Sequence, residues 1–532
     1  MSDALLTVDR LTMALPPEAD RPHAVSDVSF VVGRGEIVCL VGESGSGKSI
    51  CAQALMGLLP RVIRPEGGAI AFQGRDLLAL GPSDWRAMRG RAIAMVFQEP
   101  MTALNPVMRI GDQITEVFEA HGLLSPAERR AKALALAGEV GLPDPARILG
   151  AFPHEISGGQ RQRAMIAMAL ALEPALLVAD EPTTALDVTT QAQILKLIRD
   201  LQRRRGMGVL FITHDFGVVR AIADSVVVLQ KGRVVEKGTA EAVLTRPQHP
   251  YTRALLDAIP SLSPPDHAGG DEDVVCEVKG LTKTHASRSG LFGEARVVQA
   301  ARDVSFVIRR GETLGLVGES GSGKTTVARL VTRLLEADAG TIRIGGAEMT
   351  AASGARLRQA RRHVQMVFQD PFASLNPRRR IGLSIADGPI AAGVPKAKAL
   401  ERARALLGMV GLDPRSADRY PHEFSGGQRQ RVAIARALAL EPQLIVADEP
   451  VSALDVSVQK QVLELLDGLK ARLRLSMLFI THDLHVAAQV CDRIAVMRRG
   501  EIVEMRPARD LFAAPEHPYT RELLAAVPGL HA

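Results

Sequence analysis

The 532-residue sequence predicts an α/β protein of two tandem domains. Each is expected to have a mainly parallel sheet core, an antiparallel β subdomain and an inserted helical subdomain. Three observations carry that expectation. One set of phosphate-handling motifs occurs twice in the same order, the mark of an internal duplication. Within each copy, short continuous apolar runs alternate with helical stretches, as in a parallel sheet covered on both faces. Each copy also sets a glycine-rich loop between such a run and a helix, an arrangement built to receive phosphate.

The elements follow in order. Each half opens with alternating strands, LLTVDRL in the first and VVCEVKGL in the second, then DVSF and a glycine turn at 33–36 or 310–312. The runs IVCLVG and TLGLVG lack alternation, so they read as strands buried on both faces. After the glycine loop come the helical patterns SICAQALMGLL and TTVARLVTRLL. Residues 99–155 and 370–423 show helical periodicity broken by Pro and Gly, and are expected to form the inserted subdomains. Strands then resume at ALLVAD, VLFITH and SVVVLQ, and again at QLIVAD, MLFITH and RIAVMR. The expected domains are residues 1–260 and 274–532. Between them, residues 261–273 (SLSPPDHAGGDED) have the composition of a short flexible linker.

Composition excludes several classes. With 46% hydrophobic and 23% charged residues the chain has an ordinary soluble make-up, and its net charge of +6 is diluted over the whole length. Nucleic-acid binding calls for basic residues clustered on one face; the arginine triplets at 203–205 and 378–380 read as solvated surface. Cys39, Cys51, Cys276 and Cys491 form no CxxC pair, which points to a reduced, intracellular protein without a disulfide frame. The opening MSDALLTVDR is acidic and carries no signal-peptide pattern. The most apolar stretch, AMIAMALALEPALLVAD, is broken by Glu173 and Pro174 before it reaches the ~20 residues of a membrane span.

The chemistry lies in the motifs. Gly42, Glu43, Ser44, Gly45, Ser46, Gly47, Lys48 and Ser49 form the first loop; Gly318, Glu319, Ser320, Gly321, Ser322, Gly323, Lys324, Thr325 and Thr326 form the second. Glycines at this spacing let the backbone wrap so that its N–H groups face phosphate oxygens. The lysines are placed to reach β and γ phosphates, and the Ser49 and Thr325 hydroxyls to bind Mg²⁺. A functionless glycine turn is the alternative; the flanking strand and helix, and the second copy, speak against it. Asp180–Glu181 and Asp448–Glu449 close apolar strands, at the end of a parallel sheet where ligands sit. The aspartates suit Mg²⁺, and the glutamates suit orienting or deprotonating an attacking water.

The remaining motifs carry a resemblance. SGGQ followed by RQR, then the acidic strand end, ALD and a histidine in ITHD, resembles the ATP-binding cassette ATPases over essentially the whole chain. The SGGQ element discriminates, because other phosphate-loop ATPases lack it. The resemblance implies that Lys48, Ser49, Gln98, Asp180, Glu181 and His214 form one site, capped head to tail by Ser425, Gly426, Gly427 and Gln428. Lys324, Thr325, Gln369, Asp448, Glu449 and His482 would form the other, capped by Ser157, Gly158, Gly159 and Gln160. Gln98 and Gln369 would also serve the metal, and the histidines would contact γ phosphate. Both sites are intact, so both are expected to hydrolyse ATP. The family's aromatic partner for adenine has no equivalent between Met1 and Asp27, where His23 and Leu15 remain; His285 and Phe292 are the candidates in the second half.

QEPMTALNP and QDPFASLNP, with the tails PQHPYTRALLDAIP and PEHPYTRELLAAVP, resemble the ATPases of peptide, opine and nickel uptake transporters in their fused form. On their own the tails read as a proline turn into an amphipathic packing helix. The resemblance implies a bacterial importer ATPase for di- or oligopeptides or related solutes. Its partners would be two permease subunits and an extracytoplasmic binding protein, and it would dock at the cytoplasmic face of the inner membrane. Loops 99–106 and 370–377 would receive permease coupling helices. Relatives often follow the tail with a cysteine cluster for iron and sulfur; no cysteine follows either tail here, so no such cofactor is expected. A soluble double cassette acting on ribosomes is the rival reading, but the long charged arm of that group is missing. A fused sugar-uptake ATPase would usually have one damaged site.

Overall fold

Ile37–Val41 forms a strand buried along its whole length, at the heart of the first of two similar folds. The computed structural model describes residues 4–184, 186–259, 262, 264, 272–288, 295–370, 374–452 and 454–527. They divide into two compact units, one reaching Asp257 and the other running from Ala258 to Ala526.

In the first unit the strands are β1 (Ala4–Ala14), β2 (His23–Gly33), β3 (Ile37–Val41), β4 (Arg64–Phe72), β5 (Arg75–Asp76), β6 (Ile93–Val96), β7 (Leu176–Asp180), β8 (Gly208–Thr213), β9 (Ser225–Gln230) and β10 (Arg233–Thr239). Two sheets result, in the orders β2-β1-β4-β5 and β10-β9-β3-β8-β7-β6. The four-stranded sheet is antiparallel. Along β1, Leu6, Val8, Leu11 and Met13 are buried, with the register slipping between Val8 and Leu11. That irregularity keeps the apolar face inward where strict alternation would have turned it outward. The six-stranded sheet is parallel except for the antiparallel edge strand β10. Its inner strands are apolar throughout because helices cover both faces.

The helices are α1 (Lys48–Leu55), α2 (Pro82–Met88), α3 (Pro100–Ala103), α4 (Ile110–Ala120), α5 (Pro126–Glu139), α6 (Pro145–Gly150), α7 (Gly158–Ala169), α8 (Val188–Arg205), α9 (Phe216–Ile222), α10 (Ala240–Thr245) and α11 (Pro250–Asp257). The inserted subdomain is α3 to α6, lying in the chain between β6 and β7. Ile110, Ile114 and Phe118 stand four residues apart on α4 and are all buried, one apolar stripe on one face. Ser125 and Glu128 close α5 with a capping box, which satisfies N–H groups the helix start would leave unpaired.

The second unit repeats this plan. Val274–Arg288 pairs antiparallel with Ala295–Arg309 and Ala339–Ile344. Thr313–Val317 lies in parallel between Ser476–Ile480 and Arg493–Arg498, and Val364–Val367 and Leu444–Asp448 extend the sheet on one side. Glu501–Pro507 forms the antiparallel edge.

Two sequence expectations change in detail. The first glycine-loop helix ends at Leu55 and the second at Val331, several residues earlier than the apolar patterns suggest. The arginine triplets are exposed as expected except for Arg205. Arg205 donates to the Leu170 carbonyl and pairs with Glu139 at 2.7 Å, since it faces inward at the end of α8 while Arg203 and Arg204 face solvent. Arg379 pairs with Asp387 and Arg380 with Asp418. All four cysteines are buried, and burial raises their thiol pKa values. No helix among the described residues is long and apolar enough to cross a membrane.

Candidate functional site

The chain leaves β3 at Val41, turns from Gly42 to Gly47 and enters α1 at Lys48. The turn demands glycine: Gly42 and Gly47 have φ of 149° and 104°. A Cβ on Gly42 would lie 2.2 Å from the Leu229 carbonyl oxygen, and one on Gly47 2.5 Å from Val25 Cγ1. The second loop is built alike, with φ of 151° at Gly318 and 111° at Gly323. Lys48 Nζ donates to the carbonyls of Gly42 and Glu43 at 2.6 and 2.9 Å, and Lys324 Nζ to those of Gly318 and Glu319 at 2.7 and 2.8 Å. Each lysine is thus folded back over its own loop. Arg21, which sequence reasoning missed, donates to the Gly45 carbonyl at 2.5 Å. The Ser46 and Ser322 hydroxyls are buried without a partner. A buried polar atom of this kind costs stability until something satisfies it, and a phosphate oxygen would.

Beside each loop stands an acidic centre. Asp180 ends β7 with Oδ1 accepting from Ser49 Oγ at 3.4 Å, and Asp448 accepts from Thr325 Oγ1 at 3.3 Å. Burial, reinforced by the neighbouring glutamate, pushes the carboxyl of Asp180 to about 6, and likewise that of Asp448. The donor set of one hydroxyl and one carboxylate is hard oxygen, which suits Mg²⁺ held partly through water and substrate phosphates rather than in an all-protein cage. Among the described residues no group of three His, Cys, Asp or Glu is arranged to hold a metal ion.

Glu181 and Glu449 adopt left-handed backbone, φ 46° and 47°, and their N–H groups donate to the Ile212 and Ile480 carbonyls, each at 2.9 Å. The Glu181 carboxylate accepts from Gln98 Nε2 at 2.9 Å and Thr184 Oγ1 at 3.0 Å, and lies 3.1 Å from His214 Nδ1. Glu449 accepts from Gln369 Nε2 at 2.8 Å and lies 3.2 Å from His482 Nδ1. Burial alone would raise both carboxyls; the histidine and the loop lysine outweigh it and hold both below the ordinary range. His482 is correspondingly raised, burial being overcome by Glu449. Thr184 is another residue sequence reasoning missed. Its counterpart Ser452 donates instead to the Glu449 backbone carbonyl, at 3.1 Å.

The SGGQ residues begin helices. Ser157 caps α7 and Ser425 caps Gly426–Leu438, each in a reciprocal pair with Gln160 or Gln428, so both helix starts present N–H donors. Of the adenine candidates, His23 is held by Glu66 at 2.7 Å, Leu15 packs against the core and His285 lies on Val274–Arg288. Phe292 lies outside the described residues.

A doubled loop, acid pair, glutamine, histidine and SGGQ helix define an ATP-binding cassette ATPase. The ABC transporter family matches residues 25–184 and 301–452, and the oligopeptide/dipeptide transporter C-terminal region matches 235–283 and 503–532. The chain belongs to the ABC transporter family, as a fused double-cassette member of the oligopeptide/dipeptide type, and is an ATPase. It is 46% identical over 557 residues to the glutathione import ATP-binding protein GsiA of Escherichia coli (strain K12), covering 98% of this chain and 89% of that one. With the peptidoglycan transport ATP-binding protein YejF of Agrobacterium fabrum it shares 48% over 535 residues, covering 99% and 97%. Among solved structures, the dimeric cassette MJ0796 bound to ADP and Pi is 30% identical over 44% of this chain and 99% of its own, at a TM-score of 0.40.

Proposed function

We propose that this chain is the ATP-hydrolysing subunit of a bacterial importer for di- or oligopeptides or related small solutes. It would work at the cytoplasmic face of the inner membrane, beneath two permease subunits served by an extracytoplasmic binding protein. The observation that carries this reading is two complete sets of nucleotide-site motifs in a chain whose halves each match the oligopeptide/dipeptide transporter C-terminal region. The names of GsiA and YejF, import and transport subunits of glutathione and peptidoglycan, favour small peptides and their relatives as the solute class.

In each cassette the loop amides and Lys48 or Lys324 bind the phosphates. Ser49 with Asp180, and Thr325 with Asp448, would hold Mg²⁺, which when bound neutralises phosphate charge. Gln98 and Gln369, each bonded to its glutamate, would also serve the metal and the attacking water. Glu181 and Glu449, kept ionised by their histidines, orient and deprotonate the attacking water. His482, its pKa raised beside Glu449, keeps a second ring nitrogen for the γ phosphate, and His214 is placed alike against Glu181. The SGGQ residues of each cassette cap the nucleotide of the other, so that ATP holds the halves together and hydrolysis releases them.

Exposed apolar side chains around the loops that follow the glutamines favour permease docking there. They are Phe97, Met101 and Val107 in the first cassette, and Leu334 and Phe368 in the second. In the second cassette a cleft of about 510 Å³ opens beside them, bordered also by Asn376, Asp387 and Arg436. The test is affinity purification of the tagged chain from detergent-solubilised membranes. Two polytopic permeases in the eluate are expected. Recovery with ribosomes and without membrane proteins would overturn the importer reading.

A further inference from the structure

The two HPYT tails do more than pack. In the first cassette, Glu236 on β10 accepts from the Gln248 and His249 amides at 2.7 and 3.1 Å. His249 Nδ1 then accepts from the Tyr251 amide at 3.2 Å. The Tyr251 hydroxyl in turn accepts from the backbone N–H of Glu43, the second residue of the phosphate loop, at 3.2 Å. The second cassette repeats every step: Glu504 accepts from the Glu516 and His517 amides at 2.9 and 3.0 Å, His517 Nδ1 from the Tyr519 amide at 3.1 Å, and the Tyr519 hydroxyl from the Glu319 amide at 3.2 Å. Tyrosine and loop stand 208 residues apart in one half and 200 in the other. The same contact is therefore reached across different chain lengths.

What the contact does follows from the peptide it holds. The Glu43 N–H is bound by Tyr251 while the Glu43 carbonyl is bound by Lys48, at 2.9 Å. Lys48 already spends donors of its ammonium on the carbonyls of Gly42 and Glu43, so a phosphate would share the lysine that pins the first turn of the loop. The tyrosine bond uses the Glu43 N–H and no lysine donor, so it does not compete with that sharing. We propose that Tyr251 and Tyr519 are positioning residues for nucleotide binding, holding the first turn of each phosphate loop in its cradle while the loop lysine takes up phosphate. This rests on the reading that the loops bind the nucleotide phosphates. The transporter tail is thereby part of the nucleotide site, and a movement of the tail would be felt in the loop.

The test is Tyr251→Phe with Tyr519→Phe in the full chain, which removes two hydroxyls and keeps both rings packed. Loss of one neutral hydrogen bond per site predicts mant-ADP binding and the KM for ATP weaker by roughly fivefold, with kcat at saturating ATP within about twofold of the parent. ADP must weaken with ATP, because the loop cradles the β phosphate that both nucleotides share. A variant whose mant-ADP affinity and KM equal the parent's overturns the proposal, even if its melting temperature falls, since a purely structural tyrosine would move stability alone. Lys48→Ala with Lys324→Ala separates the two readings. If the lysine variant loses nucleotide and the phenylalanine variant does not, only the tyrosine proposal fails. If the lysine variant still binds mant-ADP normally, the loop reading itself fails.

Discussion

Asp180 and Asp448 are acids kept in a setting that disfavours their charge. Burial beside Glu181 and Glu449 raises each carboxyl to about 6, so the folded protein binds these protons more tightly than the unfolded chain does. The stability this gives is present below the ordinary carboxylate range and is lost as pH rises through about 6. At pH 8 the nucleotide-free protein bears the full cost. Asp180→Asn keeps an acceptor for Ser49 and removes the charge, so it is expected to stabilise the nucleotide-free protein at pH 8 by on the order of 1–3 kcal/mol, with little gain at pH 4. The same change should remove Mg²⁺-dependent hydrolysis at that site. Thermal unfolding at the two pH values, paired with ATPase assays, checks both halves of the expectation. The site is destabilised where it works, as functional sites often are.

Among the elements, the phosphate loops depend most on backbone geometry. Gly42 and Gly45 both have positive φ, but a Cβ on Gly42 would lie 2.2 Å from a carbonyl oxygen and one on Gly45 meets nothing within 4 Å. Gly42→Ala is therefore expected to lose nucleotide binding by more than about tenfold, as the loop must leave β9 to make room. Gly45→Ala should cost only about 1 kcal/mol of left-handed strain and leave the loop in place. Mant-ADP titration of the two variants separates these outcomes. The glycine loops, acid pairs, SGGQ and histidines were legible in the sequence because each is a short contiguous pattern on a strand end or helix start. Apolar runs likewise gave the inner strands. The edge strand β10, half-exposed and rich in Arg, Glu and Lys, carried no such signal. Nor did the bonds from Thr184 to Glu181 and from Tyr251 to Glu43, which depend on how the chain folds back on itself rather than on any local spacing. The left-handed φ of Glu181 is equally silent, since glutamate favours no such conformation and the surrounding fold imposes it.

At the scale of the whole molecule, the proposed capping of each nucleotide by the other cassette makes a kinetic prediction for the fused chain. Partners on one chain meet at an effective concentration fixed by the connection between them, so ATPase activity per mole is expected to be unchanged on hundredfold dilution. Cassettes produced as separate halves, divided within residues 261–273, should lose specific activity as they are diluted. Whether the two sites fire together is a separate matter, and Glu181→Gln decides it. The substitution keeps the side chain's shape and an oxygen for Thr184 but removes the base, so the first site holds ATP without splitting it. If each site needs the other's SGGQ helix, and the halves part only after hydrolysis, that unspent nucleotide keeps the molecule closed and stalls the intact second site. Steady-state ATPase activity should then fall to under about 5% of the parent, far below the half that two independent sites would leave. Nucleotide affinity in the same variant should be equal to or tighter than the parent's. Half or more of the activity remaining would mean that the cassettes work alone, and that the duplicated chain is two ATPases rather than one machine.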